Sequence, residues 1–176
     1  MGNKLSRHFF ERDVLVVAPD LLGKYLVRRF DSGEIHRFRI TEVEAYRGEE
    51  DKACHAAKGR TKRTEVLYAP AGNIYVYLIY GMYWLLNIVT GNADEPQAIL
   101  IRGVEEISGP GRIGKYLQLD SSFYGEPIEG NRLWIEDSDY KPSYIATPRI
   151  GIDYAEEWKD IEWRFIVDDN KKLKKL

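Results

Sequence analysis

The residues from Ile74 to Thr90 leave the chain little choice of local structure. They carry four tyrosines (Tyr75, Tyr77, Tyr80, Tyr83) within nine residues, followed at once by Trp84, with apolar and mostly branched residues between them. Aromatic and β-branched side chains at this density favour strands. The run therefore reads as a hairpin, with one strand from Ile74, a turn at Tyr80-Gly81 and a second strand from Met82 to Thr90. Alternation puts Tyr75 and Tyr77 on one face, while the turn lifts Tyr80 clear of the sheet. Rings so placed can stack on a flat ligand such as a nucleobase. Strands also select aromatics for packing alone, so the run by itself does not decide between the two readings.

A second hairpin precedes the first. Lys24 to Phe30 and Glu34 to about Tyr46 are strand-like, joined at Asp31-Ser32-Gly33. Asp13 to Leu22 has the apolar spacing of a short helix, interrupted near Pro19 and closed by Gly23. Arg47 to Gly72 is a long polar connection with at most short helices, and loops of that length are more often functional than idle. Gln97 to Glu105 reads as a buried strand, and Gly109-Pro110-Gly111 opens a helix from Arg112 to about Leu119. Short strands are expected at Arg132 to Glu136 and Trp163 to Val167, and the lysine-rich tail Lys171 to Leu176 as a frayed, solvated end. Strands linked mostly by turns predict an α+β fold: a single domain over residues 1–176, with a curved, mainly antiparallel sheet flanked by short helices.

A formal charge of −2 provides no global attraction to nucleic acid, so any polyanion contact must come from a local patch. The single cysteine, Cys54, excludes an intramolecular disulfide and a Cys-rich zinc site and fits a reducing compartment. No apolar stretch is long enough to span a bilayer. Met1 to Ser6 fits the loose N-myristoylation pattern, which we read as coincidence. The expectation is a cytoplasmic protein, nucleoid-associated in a prokaryote or nuclear in a eukaryote, with no membrane partner, metal or cofactor.

Two carboxylates and a phenol share one strand face in Ile40-Thr41-Glu42-Val43-Glu44-Ala45-Tyr46, with Glu42, Glu44 and Tyr46 opposite Thr41, Val43 and Ala45. An unpaired buried carboxylate is costly, so that face is not simple core. Glu42 reads best as a salt-bridged residue. Glu44, beside Tyr46 at the strand end, is better placed to hold and deprotonate a water. Downstream, Lys58-Gly59-Arg60-Thr61-Lys62-Arg63 has four basic residues in six and no acid, a solvated loop by default and a phosphate-contacting loop on the sharper reading. His55, adjacent to Cys54, reads as a pocket hydrogen-bonding group. Arg112 and Lys115, after the Gly-Pro-Gly turn, are weaker phosphate candidates.

The blocks Glu42-Val43-Glu44-Ala45-Tyr46, Asp51 with His55, Gly59-Arg60-Thr61, Tyr75-Val76-Tyr77 and Tyr80-Gly81-Met82 with Asn87 resemble the alkyladenine (3-methyladenine) DNA glycosylase family of base-excision repair. The resemblance continues through Leu100-Ile101-Arg102, Gly109-Pro110-Gly111 and Arg149-Ile150-Gly151, and so covers nearly the whole chain in order. It implies a monomeric, monofunctional glycosylase acting on double-stranded DNA with damaged purines. Glu44 would activate the attacking water, and Tyr80 would enter the duplex in place of the flipped nucleotide. Tyr46, His55 and Tyr77 would line the base pocket, with Asn87 at its floor. Arg102 would hold the water or a phosphate, with Arg60, Lys62, Arg63, Arg112 and Lys115 along the DNA backbone. The chain departs from the family at Lys62 and Thr64, where proline and asparagine are usual, and at Gly114, where cysteine is common. Two other readings use the same residues: a non-catalytic module that recognises distorted DNA or RNA, and a hydrolase of free nucleosides.

Overall fold

Both hairpins form in the protein, described here by a computed structural model over residues 2–168. Strands β1 (Tyr25–Arg29) and β2 (Ile35–Arg47) pair antiparallel across the Asp31-Ser32-Gly33 turn. Strands β3 (Ile74–Ile79) and β4 (Tyr83–Val89) pair across Tyr80-Gly81. Strand β5 (Gln97–Val104) lies between β4 and β2, and the two-residue β6 (Ile107–Ser108) folds back onto it. With β7 (Leu133–Glu136), β8 (Tyr144–Thr147) and β9 (Arg164–Val167), the described residues make one curled, wholly antiparallel sheet along the path β3-β4-β5-β2-β1-β7.

Strand β2 is the spine of this sheet. One of its edges carries β5. The other is shared, by β1 along the first half and by β9 along Glu42 to Glu44. The β2–β5 ladder runs Ile40↔Val104, Glu42↔Gly103, Val43↔Ile101, so Thr41 and Arg102 are each an extra residue in their strand and the two irregularities cancel. Gly103 makes this possible: a Cβ there would lie 3.0 Å from both Glu42 Cβ and Thr41 Oγ1.

Helix α1 (Arg7–Phe10) is followed by α2 (Val14–Leu21), which buries Val14, Val17, Ala18 and Leu21. That spacing is one face of a helix, and it packs into the core that holds Ile40, Val43 and Ala45 of β2. Each buried valine, leucine or isoleucine contributes roughly 1.5–3 kcal/mol by leaving water, and the alanines less. Asp13 caps the helix by accepting the Leu15 amide at 2.9 Å. Pro19 does not interrupt α2 as expected: the helix runs through it and ends two residues later, at Leu21. Helix α3 (Pro110–Tyr116) begins at the Gly-Pro-Gly turn and packs on β4 and β5. The long connection after β2 contains only the 3-10 turns His55–Lys58 and Glu65–Tyr68. Sequence reading gives no sign of α1, β8 or the kinked 3-10 segment Asp153–Asp160. Strand β8 lies between Pro142 and Pro148 and is largely exposed, so no buried alternation marks it. The expected lysine-rich tail lies outside the described residues.

Candidate active site

The sheet face that presents Glu44 and Tyr46 lines a cavity of about 510 Å³, within the range of small-molecule sites. Glu44, Tyr46, His55, Tyr77, Asn87 and Arg102 all line it, and Tyr80 stands at its mouth wall. The strand period brings Glu44 and Tyr46 inward from β2, and Tyr75 and Tyr77 from β3. Glu44 is fully buried. Its Oε1 accepts the Tyr46 hydroxyl at 3.0 Å and Arg102 Nη1 at 3.5 Å, while Oε2 accepts the Ile150 amide at 2.7 Å. Burial raises its proton affinity above the usual carboxylate range; Arg102, the Ile150 N–H and Tyr46 pull the other way. Glu42 takes the expected salt-bridged role, accepting from Arg102 Nε at 3.2 Å and from Arg164 at 3.4 Å.

The opposite wall is aromatic. His55 and Tyr77 meet edge to face with ring centroids 4.4 Å apart. His55 Nδ1 shares a 2.8 Å hydrogen bond with the Tyr75 hydroxyl. Tyr75 therefore is not plain sheet packing, the reading its burial invites; it fixes the histidine ring. Tyr83 does pack, against Gly111, where a Cβ would lie 3.1 Å from its ring. The Arg63 guanidinium sits 5.4 Å from the Tyr77 ring centroid, and its charge favours the ionised form of the Tyr75 phenol. Burial first, then Arg63 and Lys58, depress His55 to about 4, so it is neutral at pH 7. Burial also pushes the Tyr75 phenol and the Cys54 thiol up to about 12, which leaves Cys54 no nucleophile. Asn87 is buried, and its Nδ2 donates to the Tyr75 carbonyl at 3.2 Å.

Tyr80 occupies the tip of the β3–β4 hairpin and is 88% exposed. Tyr80 and Gly81 both adopt positive φ, 51° and 66°, and the Met82 amide bonds the Ile79 carbonyl at 3.1 Å. This is the turn geometry that suits a hairpin's twist, but left-handed backbone costs a non-glycine residue about 1–2 kcal/mol. A bulky ring kept there, in solvent, does nothing for packing.

The basic residues part company. The Arg60 guanidinium pairs with Asp94 and, at 3.7 Å, with Glu65, and lies over the Tyr68 ring. Its charge is therefore already partly answered within the protein. Lys62 is exposed, and the Tyr124 hydroxyl pins the loop by bonding the Arg63 carbonyl at 3.0 Å and the Val66 amide at 3.2 Å. Arg112 and Lys115 are exposed on α3, the helix whose Pro110 lines the cavity.

Two contributors lie in the Arg149-Ile150-Gly151 block, to which sequence reading gives no site role. One is the Ile150 amide, which any residue supplies. The other is Arg149, buried between the rings of Tyr46 (4.8 Å) and Trp163 (5.1 Å), donating to the Ala45 carbonyl at 3.0 Å and paired with Asp51. Tyr154 completes the lip; its hydroxyl is 3.4 Å from the Ala53 carbonyl.

The model of the methylpurine-DNA glycosylase family matches residues 8–108 and 105–171. A Legionella pneumophila (strain Lens) protein named "putative 3-methyladenine DNA glycosylase" is 46% identical over 182 residues, covering 98% of each chain. Proteins of the same name from Desulfitobacterium hafniense (strain Y51) and Methanocella arvoryzae are 39% and 42% identical, covering 96% and 92% of this chain and 97% and 90% of their own.

Proposed function

The chain belongs to the methylpurine-DNA glycosylase family, and we propose that it hydrolyses the N-glycosidic bond of alkylated purines in double-stranded DNA, of the 3-methyladenine type, after flipping the nucleotide into the cavity. The observation that carries this reading is Glu44: a fully buried carboxylate, held at both oxygens, in an aromatic pocket. It is the general base, taking a proton from the water that attacks the sugar carbon as the base departs. Such help is typically worth ~10²–10⁴-fold. Glycosidases usually need a second carboxyl group to protonate the leaving group. An alkylated purine already carries positive charge, so one carboxylate suffices, and no lyase step is invoked.

The walls favour the same substrates. Electron-rich tyrosine faces attract a cationic base more than a neutral one, and each stacking contact contributes roughly 1–3 kcal/mol. Flipping costs a few kcal/mol, least for weakly paired, damaged bases. Tyr80 fills the vacated stack, and Lys62, Arg63, Arg112 and Lys115 follow the backbone. Asn87, fixed on the Tyr75 carbonyl, disfavours guanine's exocyclic amine. Hypoxanthine or ethenoadenine, being neutral, leave more slowly, because His55 and the tyrosines hold no proton that is labile near pH 7.

The test is base release from duplexes carrying 3-methyladenine, 7-methylguanine, hypoxanthine or ethenoadenine, read as alkali-labile sites. Wild type should release 3-methyladenine fastest, ahead of 7-methylguanine, whose exocyclic amine meets Asn87, and of the neutral bases. Glu44→Gln should bind lesion duplex and release nothing. Binding without release by wild type would favour a recognition module instead.

A further inference from the structure

Glu42 has no part in the reaction as proposed, yet it is built into the surroundings of the base. It stands two residues before Glu44 on the same face of β2. Its Oε1 is shared by two guanidinium groups, Arg102 Nε from β5 at 3.2 Å and Arg164 Nη1 from β9 at 3.4 Å. Arg102 then reaches Glu44 with Nη1 at 3.5 Å, the longest of the three contacts. The result is a line of alternating charges, Arg164–Glu42–Arg102–Glu44, whose outer three side chains are 14–17% exposed and whose last is fully buried.

The order of these contacts has a chemical consequence. An arginine paired with Glu44 alone would hold it ionised and make it a poor proton acceptor. Burial without any arginine would leave it protonated and useless. Arg102 does neither, because its shorter bond goes to Glu42. Resting on the reading of Glu44 as general base, we propose that Glu42 and Arg164 are positioning residues that set the proton affinity of Glu44 by dividing the charge of Arg102 between two carboxylates.

The other groups facing Glu44 are Tyr46 of its own strand, Tyr77 of β3, Arg149 and the Ile150 amide from the segment after β8, and Tyr154 beyond them. Arg149 pairs with Asp51 through both Nη atoms while its charge still favours the ionised form of Glu44, and the tyrosines are neutral. The line from Arg164 is therefore a route, separate from Arg149, by which a charge with no direct contact to Glu44 reaches the base.

The experiment is the pH dependence of single-turnover release of 3-methyladenine, a permanently cationic base that needs no acid. Release rises with pH as Glu44 ionises. Glu42→Gln removes a negative charge and should move that limb to lower pH, by about half a unit to one unit, since direct neighbours shift a carboxylate by about 1–3. Arg164→Gln removes a positive charge and should move it to higher pH by less. The double variant should fall between the two single variants, an opposition of sign that a merely structural role does not produce. Either single variant tests the sign if the other does not fold. Wild-type release with unmoved limbs, or with both limbs moved the same way, overturns the proposal and leaves Glu44's role standing. No wild-type release at any pH overturns both.

Discussion

Arg149 and Asp51 form a fully buried, two-pronged ion pair, Nη1 to Oδ2 at 2.7 Å and Nη2 to Oδ1 at 3.0 Å. Asp51 also accepts the amides of Arg47 and Ala53, each at 3.0 Å. The pair thus joins the end of β2, the loop leading to His55, and the segment that delivers the Ile150 amide to Glu44. Breaking a buried pair by removing one charge costs about 3–5 kcal/mol. Asp51→Asn should lose stability of that order by chemical denaturation. It should also slow base release at temperatures where it remains folded, because Ile150 would no longer be registered on Glu44. A folded variant with an unchanged rate would show that the pair only holds the fold.

Tyr80 separates stability from function. Replacing it with glycine relieves the left-handed backbone and should stabilise the free protein by about 1 kcal/mol. The same change removes a stacking ring, so affinity for lesion duplex should fall by roughly 1–3 kcal/mol, about 5- to 150-fold. Melting curves and duplex titrations on one variant read both. A loss of stability in Tyr80→Gly would mean the ring packs after all.

His55 stays neutral in the fold because burial, Arg63 and Lys58 depress it to about 4 from an ordinary 6.5. The unfolded chain therefore takes up this proton first as pH falls. The contribution is level above pH 6.5 and is progressively lost toward pH 4. The difference in melting temperature between wild type and His55→Gln should accordingly change over that window and be flat above it. A difference that is flat throughout would mean His55 titrates normally.

Gly114 should resist the substitution that helical glycines usually welcome. Alanine normally favours a helix by roughly 1 kcal/mol over glycine. Here a Cβ would fall inside the van der Waals shell of the Trp84 carbonyl oxygen, a backbone atom that cannot swing aside. Overpacking of this kind costs about 1–3 kcal/mol, so Gly114→Ala should destabilise on balance. A stabilised Gly114→Ala would show that α3 can shift freely.

What could be read from the sequence was local. Alternation in β2 and β3 assigned faces to Glu42, Glu44, Tyr46, Tyr75 and Tyr77, and Tyr80-Gly81 marked a turn, because each rests on a period of two or on one backbone preference. What could not be read was long-range or backbone-borne. Arg149 meets Asp51 across 98 residues, and the amide reaching Glu44 lies 106 residues away and belongs to an isoleucine. Arg60 looked like a free cation because its carboxylate, Asp94, comes from the far side of the tyrosine hairpin. Tyr75 looked like packing because burial and the support of a pocket histidine require the same residue type at the same place.

The cancelling extra residues at Thr41 and Arg102 bear on how such a protein can go wrong. A slip of β2 by one position would turn Val43 and Ala45 into the cavity and drive Glu42 and Glu44 into a core of leucine and isoleucine. Two carboxylates without partners there would unfold the domain rather than yield a stable, inactive one. Assembly of the sheet therefore acts as its own inspection of the catalytic strand, and misregistered chains should be met as aggregates or proteolytic fragments, not as folded dead enzyme.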